Sequence, residues 1–252
     1  MAKKAIGIDV GGTGIKGALV DVKKGELLSE RLKYATPEGG EPEAIADVVR
    51  QIAIELDGPE SELPVGICFP AVVKHGITKS AANVSKRWID LNAEKLFSNV
   101  LGKEVLVVND ADAAGYAEIR FGAGKGQDGL VIMTTLGTGI GGAIFINGEL
   151  VPNAELGHLE IDGVDYESKA SFAAKERENL SFEEWAKRLQ KYYSTLEKLF
   201  TPDLIIVGGG VSKQHEEFLP LLSLEAEIVP AKKRNSAGII GAAALAAKTK
   251  KK

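Results

Sequence analysis

An eight-residue pattern occurs twice in this chain, and both times it interrupts an apolar run. Gly12-Thr13-Gly14-Ile15-Lys16-Gly17-Ala18-Leu19 returns as Gly137-Thr138-Gly139-Ile140-Gly141-Gly142-Ala143-Ile144. The flanks repeat as well: residues 5–10 and 18–22 bracket the first copy, and residues 130–133 and 143–146 the second. Each copy reads as strand, glycine-rich turn, strand. The glycines allow left-handed backbone and close approach of a ligand, while the threonine adds a hydroxyl. Successive N–H groups on the concave side of such a turn cradle anions. A single glycine hairpin constrains little. Two near-copies point to two pseudo-equivalent lobes that grip one polyphosphate from either side.

The rest of the chain fits a duplication. A third strand is expected over residues 27–32. An amphipathic helix follows over 41–56, its apolar face set by Ile45, Val48, Val49, Ile52 and Leu56. Short strands are expected at 64–70 and 105–108, and a helix over 112–121 opened by acidic residues. After the second hairpin comes a loop-rich stretch at 151–171. A long helix at 182–200 buries Trp185, Leu189, Tyr192, Tyr193 and Leu196, and a buried strand at 203–207 ends in Gly208-Gly209-Gly210. A small-residue helix at 237–247 closes the chain. The order predicts two α/β lobes with a ligand cleft between them. The smaller N-terminal lobe is expected to comprise residues 1–108 with 237–252, the larger one 109–236.

Composition narrows the function. At 252 residues, with 44% apolar and 6% aromatic content, the chain has ample core for α/β lobes. A formal charge of −4 argues against general nucleic-acid binding, so an anion site must be a local basic patch. Cys68 is the sole cysteine, which excludes an intrachain disulfide and a cysteine-based metal cluster. No apolar run reaches bilayer length and no signal-type segment opens the chain, so no membrane association and a cytoplasmic protein are expected. Lys248-Thr249-Lys250-Lys251-Lys252 reads as a solvated, frayed end.

Several side chains sit where chemistry would need them. Asp9 ends the first strand directly before the phosphate turn, where a carboxylate repels phosphate unless a divalent cation intervenes. It is therefore a candidate Mg²⁺ partner, and Lys16, just past the turn, can direct a cation at a phosphate. Asp110 ends a strand at the expected lobe boundary. Phosphoryl transfer to an alcohol requires alignment, charge neutralisation and a carboxylate to accept the hydroxyl proton, a role that suits Asp110. Its alternative is a helix N-cap, for which Asp112 is the better placed. Glu155, His158, Glu160, Asp162, Asp165 and Glu167 form a polar cluster whose spacing fits sugar hydroxyls as well as a metal ion. Lys74, Lys79, Lys86 with Arg87, and Lys232-Lys233-Arg234 are candidate points on a cationic track for a polyphosphate chain.

Asp9-Val10-Gly11-Gly12-Thr13 with Lys16, Asn109-Asp110-Ala111-Asp112 and Glu155-Leu156-Gly157-His158, in that order, resemble the ROK-type sugar kinases. These belong to the actin-like, ribonuclease-H-like superfamily of two-lobed ATPases, and the resemblance covers nearly the whole chain. It implies an α/β, two-lobed actin-like fold (a duplicated ribonuclease-H-like unit) with an interlobe cleft. By resemblance, Asp110 is the catalytic base that takes the sugar 6-hydroxyl proton. Asn83, Asn109, Glu155, His158 and Glu167 join it as sugar contacts. Gly11, Gly12, Thr13, Gly14 and Lys16, with Gly137, Thr138 and Gly139, correspond to phosphate contacts, and Gly208, Gly209 and Gly210 to the loop beside a nucleotide. Many members carry a cysteine-rich zinc motif after the Gly-His pair, which is missing between His158 and Glu167. Repressor members carry an N-terminal helix-turn-helix segment, whereas here the first hairpin begins at once.

Residues 135–141, 202–213 and 234–238 resemble the zinc-free branch that transfers phosphate from inorganic polyphosphate, often also ATP, to glucose and in some members mannose. Mg²⁺ and a homodimer are implied with it. An ATP-only hexose kinase is the alternative within the enzyme class. A non-catalytic sugar-responsive regulator or an actin-like assembly protein is the alternative outside it, disfavoured by the intact Asn109-Asp110 pair.

Overall fold

A computed structural model of the chain describes residues 3–249. Two compact units emerge: one runs through Ala117 and resumes at Ser236, and the other is Glu118–Asn235. The division falls inside a helix, nine residues beyond the boundary expected at Asn109.

The first unit contains β1 (Lys4–Val10), β2 (Gly14–Asp21), β3 (Glu26–Leu27), β4 (Leu32–Ala35), α1 (Pro42–Asp57), β5 (Val65–Phe69), a small hairpin of β6 (Val73–Lys74) and β7 (Ile77–Thr78), α2 (Ala93–Leu101) and β8 (Val105–Asn109). α3 (Asp110–Phe121) leads out of it. The second unit contains β9 (Leu130–Leu136), β10 (Ile140–Ile146), β11 (Glu149–Val151), β12 (Glu160–Ile161), β13 (Val164–Asp165), α4 (Glu167–Ala170), α5 (Phe172–Arg177), α6 (Phe182–Phe200), β14 (Leu204–Gly208) and β15 (Glu227–Pro230). α7 (Ala237–Thr249) returns to the first unit. The lysines at 250–252 of the expected frayed end lie outside the described residues.

The duplication is visible in topology. One sheet runs β3-β2-β1-β5-β8, with β4 also on β2, and the other runs β11-β10-β9-β14-β15. In both, the first three strands are antiparallel neighbours and the last two pair in parallel. The two hairpins differ by one residue: Val10 pairs with Ile15 across four loop residues, and Leu136 with Ile140 across three.

Side-chain alternation sorts the first sheet into two faces. Ile6, Ile8, Val10, Ile67 and Phe69 enter a core with Ile45, Val49 and Ile52 of α1, Phe97 of α2, and Trp88. The opposite face takes α7 at very close range. A Cβ on Gly7 would stand 2.0 Å from the Ile239 carbonyl oxygen, and one on Gly66 1.9 Å from that of Ala242. That contact explains why α7 is built of alanine and glycine. It also leaves the odd-numbered residues of β1 and the even-numbered ones of β5 on the α7 side, Asp9 and Cys68 among them.

In the second unit α6 begins at a capping box, in which Ser181 and Glu184 each bond the other's amide, and buries Trp185, Leu189, Tyr192, Tyr193 and Leu196 completely, as expected. The Tyr193 hydroxyl lies 2.8 Å from Thr134 Oγ1 on β9, tying helix to sheet.

Some elements depart from the sequence expectation. The strand expected at 27–32 is broken, because Ser29 Oγ accepts the Leu19 amide and turns the chain between β3 and β4. α2 fills the segment before β8 where helix and loop were both open, and β15 was not marked in the sequence. α2 depends on its ends, with Asn92 Oδ1 accepting the Lys95 amide and Gly102 closing in left-handed backbone. The stretch at 151–171 holds β12, β13 and α4 instead of loop alone. No helix among the described residues is long and apolar enough to cross a membrane.

Candidate active site

In the first unit, adjacent strand ends bring the expected residues together. β1 and β5 run in parallel with Asp9 beside Cys68, and β5 and β8 with Phe69 beside Asn109. Asp9 Oδ1 accepts from the Cys68 thiol at 3.4 Å, and Asp9 Oδ2 lies 3.7 Å from Lys16 Nζ across the β1–β2 pair. Lys16, expected to aim at phosphate, thus also balances the Asp9 charge. Cys68 is fully buried, and its thiol is pushed well up by that burial, then by the charges of Asp9 and Asp110. It therefore stays protonated and acts as a donor beneath the two carboxylates. The α7 glycine Gly238 closes over this spot: a Cβ there would stand 3.0 Å from Cys68 Sγ and 3.7 Å from Asp9 Cγ.

Asp110 is exposed at the start of α3, with Oδ1 accepting the Ala111 amide at 2.9 Å. The helix cap is its neighbour. Asn109 Oδ1 accepts from the amides of Ala111 and Asp112, and its Nδ2 donates to the Ala71 carbonyl at 3.1 Å. Asp112, the candidate cap in the sequence, is instead buried within the helix. Asn109 thereby fixes the direction in which α3 leaves β8, and with it the place of Asp110.

The first hairpin closes with the Gly11 amide on the Gly14 carbonyl, and Thr36 Oγ1 donates to the Gly11 carbonyl. Gly12 and Thr13 are exposed at its tip. Asn83, in left-handed backbone, lies against that tip, since a Cβ on Gly12 would stand 2.6 Å from Asn83 Cβ.

In the second unit the Gly137 amide closes the matching hairpin on the Gly139 carbonyl, with Thr138 exposed. Glu167 was expected among the sugar contacts. It lies against this hairpin: Glu167 Oε2 accepts the Ile140 amide at 2.7 Å, and a Cβ on Gly139 would stand 2.4 Å from the same oxygen. Glu155 and His158 flank a 3-10 turn over Leu156–His158. That turn is held by the Tyr192 hydroxyl on the Leu156 carbonyl and by Gly157, whose Cβ would stand 2.1 Å from the Ile140 carbonyl oxygen. Burial raises the Glu155 carboxyl above its usual range, opposed by the nearby His158 and reinforced by Glu167. His158 is raised too, chiefly by the hydrogen bond of Nδ1 to Asp165 Oδ2 at 2.8 Å. The sequence flagged Asp165 only as one of a cluster, and its place opposite His158 comes from the β12–β13 hairpin. Gly208-Gly209-Gly210 stands at the end of β14, with Gly209 at φ 85° and packed on the Leu136 backbone, next to the hairpin.

Among the described residues no group of three His, Cys, Asp or Glu side chains could hold a metal ion by itself. Of the expected basic track, Arg87 is engaged by Glu41 and Glu43, and Lys79 by Asp90.

The ROK family model matches residues 5–179. The polyphosphate glucokinase of Mycobacterium tuberculosis is 43% identical, over 96% of this chain and 90% of that protein. The crystal structure of the inorganic polyphosphate/ATP-glucomannokinase of Arthrobacter sp. strain KM is 52% identical, with a TM-score of 0.92 over 98% of this chain and 100% of the other. A ROK family glucokinase of Streptomyces griseus, solved with glucose and AMPPNP, is 29% identical with a TM-score of 0.81 over 97% and 99%. With its hairpins, its Asn109-Asp110 pair and the Glu155–His158 turn in the order the family shares, the chain belongs to the ROK family.

Proposed function

We infer that this protein is a sugar kinase that transfers a phosphoryl group from inorganic polyphosphate, and also from ATP, to the 6-hydroxyl of glucose, with mannose as a second acceptor. The carrying observation is the duplicated glycine hairpin, one per unit, on a chain this similar to polyphosphate-using kinases over nearly its full length.

In this reading Asp110 accepts the hydroxyl proton as the new O–P bond forms. It is exposed at a helix start whose direction is set by the buried Asn109. Glu155 and His158 hold sugar hydroxyls, and Asn83 and Asn109 support acceptor binding from the first unit. The Asp165 bond orients the His158 ring so that one nitrogen faces its carboxylate and the other is left for the sugar. Glu167 serves the acceptor and also fixes the second hairpin. Gly11, Gly12, Thr13, Gly14, Lys16, Gly137, Thr138 and Gly139 contact donor phosphates, and Gly208, Gly209 and Gly210 flank a nucleotide when ATP is the donor.

Mg²⁺ accords with the donor set. It prefers oxygen, and is held in such sites by one or two carboxylates plus substrate phosphates. Asp9 offers one partly exposed carboxylate with a thiol beneath it and a lysine beside it. It would hold the ion, directly or through water, where the cation neutralises phosphate charge. No zinc is required in this reading. In this reading the protein is a cytoplasmic homodimer.

The test is a coupled assay for hexose 6-phosphate, with polyphosphate and ATP supplied separately to glucose and to mannose. Turnover with both donors is expected. Product from ATP alone would leave an ATP-only hexose kinase in place of this reading.

A further inference from the structure

Thr36 ties the first hairpin to the strand beside it. It directly follows β4, which pairs with β2 so that Ala35 stands opposite Gly14. From there the Thr36 hydroxyl donates to the Gly11 carbonyl, and the Thr36 amide faces the Thr13 carbonyl at 3.5 Å. The Gly11 amide closes the hairpin on the Gly14 carbonyl at 3.1 Å. The reverse bond, from the Gly14 amide to the Gly11 carbonyl, is not made among the described residues; that carbonyl is turned to Thr36 instead. Thr36 is itself firmly seated. Pro37 confines the backbone before it to the extended region, and the branched Cβ restricts χ1. The Pro37 carbonyl accepts the Gly40 amide at 2.9 Å. The Gly40 carbonyl in turn accepts the indole N–H of the fully buried Trp88 at 2.9 Å and the Ser85 amide at 3.2 Å. The hydroxyl therefore projects from between a sheet strand and a turn anchored in the core.

A peptide unit is planar and, throughout the described residues, trans, so its C=O and N–H point in opposite directions. Turning the Gly11 carbonyl to Thr36 thus turns the Gly12 N–H to the far side of the hairpin. Gly12 and Thr13 are exposed, and neither amide has a hydrogen-bond partner among the described residues. The second hairpin repeats the device with a different donor. Its Gly137 carbonyl accepts the Ala173 amide of α5 at 3.0 Å, which turns the Thr138 N–H away from α5. The Thr138 and Gly139 amides likewise have no partner among the described residues. In each hairpin the carbonyl of the first loop residue is taken from outside the loop, by a hydroxyl in one unit and an amide in the other.

We propose that Thr36 is a positioning residue of the donor site: by holding the Gly11 carbonyl it aims the Gly12 amide at a phosphate oxygen of the bound donor. The proposal rests on the reading that the first hairpin takes donor phosphates. Two features set this role apart from a bond that merely closes the turn. The Gly11–Gly14 bond already closes it. The amides that Thr36 leaves unpaired stand in succession on an exposed turn, the arrangement that binds anions. Such an amide reads a phosphate oxygen and nothing beyond it. The effect of Thr36 therefore extends to polyphosphate and ATP alike, and leaves the sugar aside.

The experiment compares Thr36→Val, which removes the hydroxyl and keeps the branched shape, with Thr36→Ser, which keeps the hydroxyl. KM and kcat are measured for polyphosphate and for ATP, glucose affinity by titration without donor, and the melting temperature of each variant. Thr36→Val should raise the KM of both donors about tenfold, as loss of one hydrogen bond to a charged group does. Its glucose affinity should stay within about twofold of wild type. Thr36→Ser should bring the donor KM back to within about threefold of wild type. In isotope-labelled wild-type protein the Gly12 amide proton should move downfield on addition of tripolyphosphate, and in Thr36→Val that movement should shrink. The wild-type titration decides the matter even where Thr36→Val does not fold. An unchanged donor KM in folded Thr36→Val, a Thr36→Ser as impaired as Thr36→Val, an equal loss of glucose affinity, or an unmoved Gly12 amide in the wild type overturns the proposal. A wild-type enzyme that yields hexose 6-phosphate from neither donor overturns the underlying reading instead, so the two failures are distinct.

Discussion

Asp110 and Asn109 are adjacent, yet their side chains have separate duties. Asn109 spends its carbonyl on two helix amides and its amide on Ala71, whereas Asp110 stands exposed beside that cap. Asp110→Asn should therefore leave the melting temperature near wild type and lower kcat by roughly two to four orders of magnitude, the usual contribution of a general base. Near-wild-type turnover would remove Asp110 from the mechanism. His158 offers a titration test. Its pKa is raised above 6.5, first by the Asp165 hydrogen bond. A raised histidine pKa stabilises the fold below the unfolded value, near 6.5. That stabilisation is lost as pH rises through the folded value. Asp165→Asn should bring the His158 pKa back toward its ordinary value, read by NMR among only three histidines. It should also raise the glucose KM, and an unmoved pKa would break the pair as described. Glu167 should differ from Glu155 on substitution. Because its carboxylate holds the Ile140 amide, Glu167→Ala should raise the donor KM together with the glucose KM, whereas Glu155→Ala should raise the glucose KM alone. A donor KM unchanged in Glu167→Ala would show that the hairpin does not depend on it.

At the scale of elements, the repeated hairpins and the long α6 were legible because each is specified locally. Glycine at fixed offsets marks a turn, and Trp185, Leu189, Tyr192, Tyr193 and Leu196 recur at helical spacing. What was not legible depends on neighbours. β15 has little pattern of its own and is a strand because β14 offers it an edge. α2 is nine residues long and relies on its Asn92 and Gly102 ends. The His158–Asp165 pair needs the β12–β13 hairpin, and the place of Cys68 beneath Asp9 needs the register of β1 on β5. That last contact does leave a mark in the sequence, since Gly7 and Gly66 each sit two residues before Asp9 and Cys68 and mark the same face. The glycines of that face carry a prediction. Gly66→Ala would force a Cβ to 1.9 Å from the Ala242 carbonyl oxygen, which is backbone and cannot rotate aside. Overpacking of this kind costs about 1–3 kcal/mol and often more where backbone must move. Denaturant unfolding should show at least that loss, and unchanged stability would mean that α7 does not lie on β5 as described.

For the whole molecule the governing fact is charge. A protein with a formal charge of −4 must handle a polyanionic donor with local groups alone. The chain does this unevenly. Some basic residues are cancelled by carboxylates close by, as Arg87 and Lys79 are, and Lys16 shares its charge with Asp9. Few protein cations are then left for the reacting phosphates near Asp9, and a carboxylate there adds repulsion. A divalent cation reverses the sign of that interaction, and such ions supply several kcal/mol of charge stabilisation in the transition state. Removing divalent ions with EDTA should therefore lower turnover by about two orders of magnitude or more with either donor. Readdition of Mg²⁺ should restore it. Asp9→Asn should raise the Mg²⁺ concentration needed for half-maximal rate while leaving the glucose KM in place. Metal analysis of the purified protein should find no stoichiometric zinc. Full activity in EDTA would show that Lys16 and the hairpin amides suffice, and Asp9 would then be a partner of Cys68 and Lys16 without a metal.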